Sequence, residues 1–255
     1  MSSDLWKKYT ENEFSVIDNS FLNNFRSPGV ANKFVAWDPF ERSSRYFKFL
    51  LFSVATKKNS DFFNMYRKIE TNIGKPLTIK CSDCDINMDY LAAIEEYQFL
   101  QEFAELDKVF RIIEIGGGFG RTAHTILSLC SHIVEYTIVD LKPMLELSRK
   151  YIEKVAPSFM NRIKFINSDD ILSQDSLSAD LVINIDSFQE MPFSVINDYM
   201  NRVVSKANKF YCKNPIGKYL PETVGFEKIS PEQLLDVFNL GLCTNVISGR
   251  EEMIP

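Results

Sequence analysis

The run Glu114-Ile115-Gly116-Gly117-Gly118-Phe119-Gly120 is the part of the chain whose residue types and spacing point most directly to chemistry. It closes an apolar, β-branched stretch (Val109 to Ile115) and opens a helical one, the strand–loop–helix setting that a ligand-cradling loop requires. Glycines let the backbone turn sharply and approach a ligand with no Cβ in the way. The helix behind them offers unpaired N–H groups and a partial positive charge. Polar groups recur where later apolar runs end: Asp140-Leu141, then Asn167-Ser168-Asp169-Asp170, then Asp186-Ser187-Phe188-Gln189-Glu190, and last Lys213-Asn214. A carboxylate placed like Asp140, 20 residues past Gly120, can accept both hydroxyls of a ribose. Carboxylates such as Asp186 and Glu190, at the end of a central strand, can orient a charged ligand or take a proton. Each has a plainer reading as a loop polar residue or helix cap, but their clustering favours function.

The elements that must position these groups follow from the pattern between them. From about Glu105 onward, short apolar runs alternate with amphipathic stretches, which predicts an α/β domain around a doubly wound, mostly parallel sheet. Strands are expected at Val109–Ile115, Ile133–Val139, Arg162–Ile166, Asp180–Ile185 and Lys209–Lys213, with a further candidate at Leu242–Ile247. Helices are expected at Arg121–Leu129, from Pro143 to about Val155, and from Pro192 to about Lys206, the prolines standing where a first turn accepts them. The first hundred residues show little period-2 pattern; Tyr46–Ala55, Asp61–Ile69 and Asp89–Leu106 read as helical. Residues 1–104 are therefore expected to form a helical extension that caps a substrate pocket, and residues 105–255 the ligand-binding domain.

Composition narrows the classes. The 255 residues are 45% hydrophobic and 25% charged, which fits a soluble globular chain and excludes disordered or fibrous ones. No apolar run approaches the roughly twenty residues of a bilayer span, and the start lacks a signal-peptide pattern, so a cytoplasmic protein is expected. The net charge of −5 argues against nucleic-acid binding. It divides unevenly: residues 1–80 hold 13 Lys/Arg against 8 Asp/Glu, which could attract a phosphate-bearing small molecule or be chance asymmetry on a solvated surface. Cys81-Ser-Asp-Cys84 has metal or redox spacing, but with no second ligand pair it reads as an ordinary loop, and no metal site is expected.

Two nucleotide ligands compete for the glycine loop. In a dinucleotide fingerprint counted from Gly116 the third glycine position falls on Arg121, too bulky for close helix–strand packing. The spacing found, G-x-G-x-G with an acidic residue two before it, resembles the S-adenosylmethionine loop of class I methyltransferases. Ile113 to Gly120, Tyr136-Thr137-Ile138-Val139-Asp140-Leu141 and Asp180 to Met191 together resemble the bacterial sugar O-methyltransferase family, over roughly residues 85–215. The resemblance implies a Rossmann-like methyltransferase with S-adenosyl-L-methionine as cofactor and a hydroxyl of a sugar or nucleotide-activated sugar as acceptor, in surface-polysaccharide biosynthesis. On that reading Glu114, Gly116, Gly117, Gly118, Gly120, Asp140, Leu141, Ser168, Asp169 and Asp186 bind cofactor. Glu190 faces the acceptor as base, with Asp186 beside it, and Gln189, Lys213 and Asn214 contact substrate. His124 and His132 read as surface or core-edge residues. A phosphorylated or other anionic metabolite as acceptor, and a SAM-binding partner protein without activity, remain open alternatives.

Overall fold

The computed structural model describes residues 6, 11, 14–27, 42–171 and 178–214, with residues 42–47 described by their backbone alone. The helices of the first part are α1 (Asn19–Asn24), α2 (Arg42–Ala55) and α3 (Ser60–Tyr66). Asp18 and Asn59 accept the N–H groups of Phe21 and Phe62, capping α1 and α3. Two short strands, β1 (Thr78–Cys81) and β2 (Cys84–Asn87), then form an antiparallel hairpin. Helix α4 (Met88–Phe103) follows, capped by the side chain of Asn87.

The hairpin departs from the expected helical extension. Cys81 and Cys84 are register partners across a two-residue turn, Ser82-Asp83, with φ of 46° and 63°. Left-handed φ at both positions is the mirror-image turn that suits strand twist. The C-x-x-C motif is therefore a hairpin turn rather than a loop, and both thiols are free and buried.

The second part is a five-stranded, wholly parallel sheet: β3 (Arg111–Ile115), β4 (Glu135–Asp140), β5 (Ile163–Asn167), β6 (Ala179–Ile185) and β7 (Ala207–Lys213), in the order β5-β4-β3-β6-β7. Its helices are α5 (Arg121–Leu129), α6 (Lys142–Val155), α7 (Ser168–Ile171) and α8 (Phe193–Arg202). All five expected strands in this region are present. The helix expected to reach Lys206 ends at Arg202, and a 3₁₀ turn at Val204–Lys206 finishes the connection. The expected strand Leu242–Ile247 lies outside the described residues.

Period-2 alternation explains the layers. Ile112, Ile138, Leu181 and Ile183 point into one core with α4, α5, α6 and the aromatic side chains Phe14, Phe25 and Phe62 of the first part. Ile113, Ile115, Val139 and Val182 point into the other, against Ile171 and the α8 residues Val195, Ile196 and Tyr199. The first part is thus continuous with one sheet layer: Phe25 meets Phe119 and Tyr151 edge-on, centroids 5.4 and 5.9 Å apart. Arg26, itself buried, ties the same joint. It donates to Asp89, Asn87 and the carbonyls of Thr71 and Ile73. No helix among the described residues is long and apolar enough to cross a membrane.

Candidate functional site

All five strands run the same way, but strand order reverses at β3: the chain adds β4 and β5 on one side of it, then crosses over to add β6 and β7 on the other. Crevices form outside the carboxyl ends of strands at such a switch point. A cleft of about 390 Å³ occupies that place here, floored by the glycine loop after β3 and walled by the loops after β4, β5 and β6.

The loop geometry follows from side chains that glycine lacks. Gly116 has φ of 78°, and a Cβ there would lie 2.2 Å from Ser187 Oγ. Ser187 is fixed: its hydroxyl donates to the Ile115 carbonyl at 3.1 Å and accepts from Asn184 Nδ2 at 2.5 Å, which also donates to Ile115 O at 2.9 Å. The β3 and β6 loops are thereby locked together, and only glycine fits between them. A Cβ on Gly117 would lie 2.8 Å from Ile138 Cγ2 and 3.2 Å from Glu114 Oε2. The N–H of Gly118 donates to Asp140 Oδ2 at 2.8 Å, and that of Leu141 to Asp140 Oδ1 at 2.7 Å. The carboxylate ending β4 is therefore aimed back across the glycine loop.

Glu114 sits beneath the loop, 2% exposed. It accepts the Tyr136 hydroxyl at 2.9 Å. Burial is the dominant influence and lifts its pKa to about 7, opposed by hydrogen bonds from Thr122 and Tyr136 and by the charge of Arg121. Asp186 follows β6 directly with φ of 55°, a left-handed conformation that Asp tolerates better than most residues. Its N–H donates to Lys213 O at 2.8 Å, and its side chain is exposed at the cleft. Glu190 is 1% exposed, and the indole N–H of Trp6 donates to its Oε2 at 2.8 Å.

Of the residues singled out in the sequence, Glu114, Gly116, Gly117, Gly118, Asp140, Leu141, Ser168, Asp169, Asp186 and Glu190 all line the cleft. Gly120 does not; it precedes α5, where a Cβ would press on Ile152 and Ser148 of α6. Gln189, Lys213 and Asn214 are not lining residues either. Asn214 turns inward, donating to Asn184 Oδ1 at 2.7 Å and accepting the N–H of Gln189, while Gln189 Nε2 donates to Asp186 O. Lys213 Nζ donates to Glu96 Oε1 at 3.2 Å. These three brace the rim.

Neither histidine is a lining residue of the cleft. His124 Nδ1 shares a hydrogen bond with the buried Tyr90 hydroxyl at 2.7 Å, and burial lowers its pKa to about 4. His132 Nε2 meets Leu106 O at 3.0 Å.

Sequence reasoning passed over several lining residues: Trp6 and Asp89 from the first part, Arg121 and Thr122 at the start of α5, and Asp198 and Tyr199 on α8. For Arg121 a signal was present, since it is the first residue behind the glycines. For Trp6 there was none.

No protein-family model matches the sequence, and no curated protein matches it. Solved structures match in part. An O-methyltransferase family protein from Burkholderia thailandensis is 15% identical over 46% of this chain and 35% of its own, with a TM-score of 0.38. The mitomycin 7-O-methyltransferase MmcR is 15% identical over 60% of this chain and 42% of its own, TM-score 0.41. The glycopeptide N-methyltransferase MtfA, solved with sinefungin, is 18% identical over 46% and 47%, TM-score 0.38. The chain thus spans between about a third and a half of the length of these proteins, and the fold assignment stands on its own strand order.

Proposed function

We propose that the protein is an S-adenosylmethionine-dependent methyltransferase that methylates a hydroxyl of a sugar or nucleotide-activated sugar, in surface-polysaccharide biosynthesis. One observation carries the cofactor reading: the glycine loop, Glu114, Asp140 and Asp186 converge on one cleft at the switch point of the sheet. The residues fit the group. A cradle exists at Gly116 and Gly117 that any Cβ would fill. Carboxylates suited to an ammonium group (Glu114, Asp186) and to a ribose diol (Asp140) lie along it, and Ser168 and Asp169 stand where a base edge can be met.

When bound, the cofactor supplies a methyl carbon already activated by a sulfonium. The chain has two tasks left. One is alignment, worth up to roughly 7–11 kcal/mol in favourable cases; the locked loops after β3 and β6 serve it. The other is removal of the acceptor's proton, for which a positioned base contributes about 10²–10⁴-fold. Glu190, at the cleft and held by Trp6, is assigned that role, and Asp186 the neighbouring cofactor contact. Trp6 and Asp89 of the first part line the cleft, and residues 1–104 are assigned the role of substrate cap.

The motif resemblance supports the saccharide acceptor. Among the described residues, seven carboxylates and one guanidinium line the cleft, which favours an acceptor whose reacting end is an uncharged saccharide over one phosphorylated at that end. The test is direct: measure binding of S-adenosylmethionine by calorimetry, and screen release of S-adenosylhomocysteine over free, polymeric and nucleotide-activated sugars. Release with a saccharide confirms the proposal. Binding with release only on amines or phosphorylated metabolites would replace the acceptor, and absence of binding would sink the cofactor reading.

A further inference from the structure

We infer that Arg121 is the anchor for the α-carboxylate of the cofactor's amino-acid end, an inference that rests on the S-adenosylmethionine reading above. The amino-acid end of that molecule is a zwitterion. Its ammonium can choose among carboxylates, Glu114 and Asp186 among them. Its carboxylate has one cationic partner among the described lining residues, and that is Arg121.

The surroundings of Arg121 leave it available. Its Nη2 donates to Glu96 Oε2 at 2.8 Å and its Nη1 to the Asp89 carbonyl at 3.1 Å. A guanidinium has five N–H groups, so three remain beyond those two bonds. Glu96 is 4% exposed and receives Lys213 at its other oxygen, at 3.2 Å. One buried carboxylate thus faces two cations, and Asp89, Glu114 and Asp186 also act on Arg121. Neutralising Glu96 needs only one of the two cations. Lys213 lies off the cleft, whereas Arg121 lines it with 18% of its side chain exposed. Arg121 is therefore the cation presented to the cleft, beside Glu114 and Asp186, with N–H groups beyond its two bonds and a planar fork that matches a carboxylate.

The ligand can be truncated instead of the protein. Calorimetry would compare S-adenosylmethionine, decarboxylated S-adenosylmethionine and 5′-methylthioadenosine on the full chain, as wild type, Arg121→Gln and Arg121→Lys. Wild type should prefer S-adenosylmethionine over its decarboxylated form by about tenfold or more, the scale of a charge-assisted hydrogen bond. In Arg121→Gln that preference should vanish or invert, because the remaining lining is acidic and the decarboxylated ligand is the more positive. Arg121→Lys should keep part of it. Affinity for 5′-methylthioadenosine, which lacks the amino-acid end, should stay within about threefold in both variants.

Equal wild-type affinity for the first two ligands would overturn the assignment, as would a preference that survives in Arg121→Gln. Parallel loss of all three ligands in both variants would place Arg121 in the fold rather than at the carboxylate. Failure of wild type to bind any of the three would refute the cofactor reading itself. That pattern is distinct from the others, and the assignment would fall with it.

Discussion

Glu114 is where stability and ligand binding pull against each other, and the conflict can be measured. Burial raises its pKa from 4.5 to about 7 in the fold, while in the unfolded chain it ionises at its ordinary value. A carboxyl that holds its proton more tightly when folded favours folding fully below the unfolded pKa. That contribution fades as pH rises through the folded pKa. The gap is about 2.5, and at about 1.4 kcal/mol per pH unit the ligand-free protein should lose about 3 kcal/mol between pH 4.5 and pH 8 from this group alone. Glu114→Gln keeps an acceptor for the Tyr136 hydroxyl and removes the ionisation. The variant and wild type should therefore be nearly equal in stability at about pH 4, and the variant more stable by up to about 3 kcal/mol at about pH 8. Urea unfolding at the two pH values decides it. For binding the sign is opposite: wild-type affinity for S-adenosylmethionine should rise as Glu114 ionises, and the variant's should be weaker and flat over the same range. A stability difference that is the same at both pH values would refute the reasoning.

Three further outcomes are expected. Gly116→Ala should cost about 2 kcal/mol or more, from left-handed φ and from displacing Ser187, and should abolish cofactor binding; chemical denaturation with calorimetry reports both. Glu190→Gln should leave cofactor affinity intact and lower turnover by about 10²–10⁴-fold; unchanged turnover would remove it from the mechanism. His124 has a pKa lowered to about 4 by burial, so its contribution to stability is complete above its ordinary value of 6.5 and is lost as pH falls towards 4. His124→Gln should accordingly flatten the acid limb of stability, seen as a smaller loss between about pH 6.5 and 4.

How far the fold could be read in advance depended on the range of the forces involved. β4 and β6 announce themselves because a strand buried on both faces must be apolar almost throughout. Their ends were legible to within a residue or two, since Asp140 and Asp186 stand where the apolar runs stop. The hairpin Thr78–Asn87 was missed for a local reason: its strands are four residues each, and its turn is Ser-Asp, without the glycine that marks most mirror-image turns. The reach of the helix after Pro192 was overread because Val203 and Val204 continue the apolar stripe, although the chain has already tightened into a 3₁₀ turn.

The site divides along the same line. Residues that meet through the sheet's own geometry were found, because strand ends are brought together by the fold class itself. Residues that meet through tertiary packing were not: Trp6 reaches Glu190 across 184 positions, and no spacing rule connects them. Gln189, Lys213 and Asn214 show the converse, chemically able groups at the correct rim whose bonds turn them to Asp186, Glu96 and Asn184. Arg121 sits between these cases. Read by size, it argues only against a third glycine and hence against a dinucleotide. Read by charge, it is a cation at the start of α5 in a cleft that otherwise gathers carboxylates, and beyond its bonds to Glu96 and the Asp89 carbonyl it keeps N–H groups for an anion that a ligand brings. A zwitterionic amino-acid end satisfies both the carboxylates and the cation, and an acceptor or cofactor bearing only positive charge would satisfy only the first.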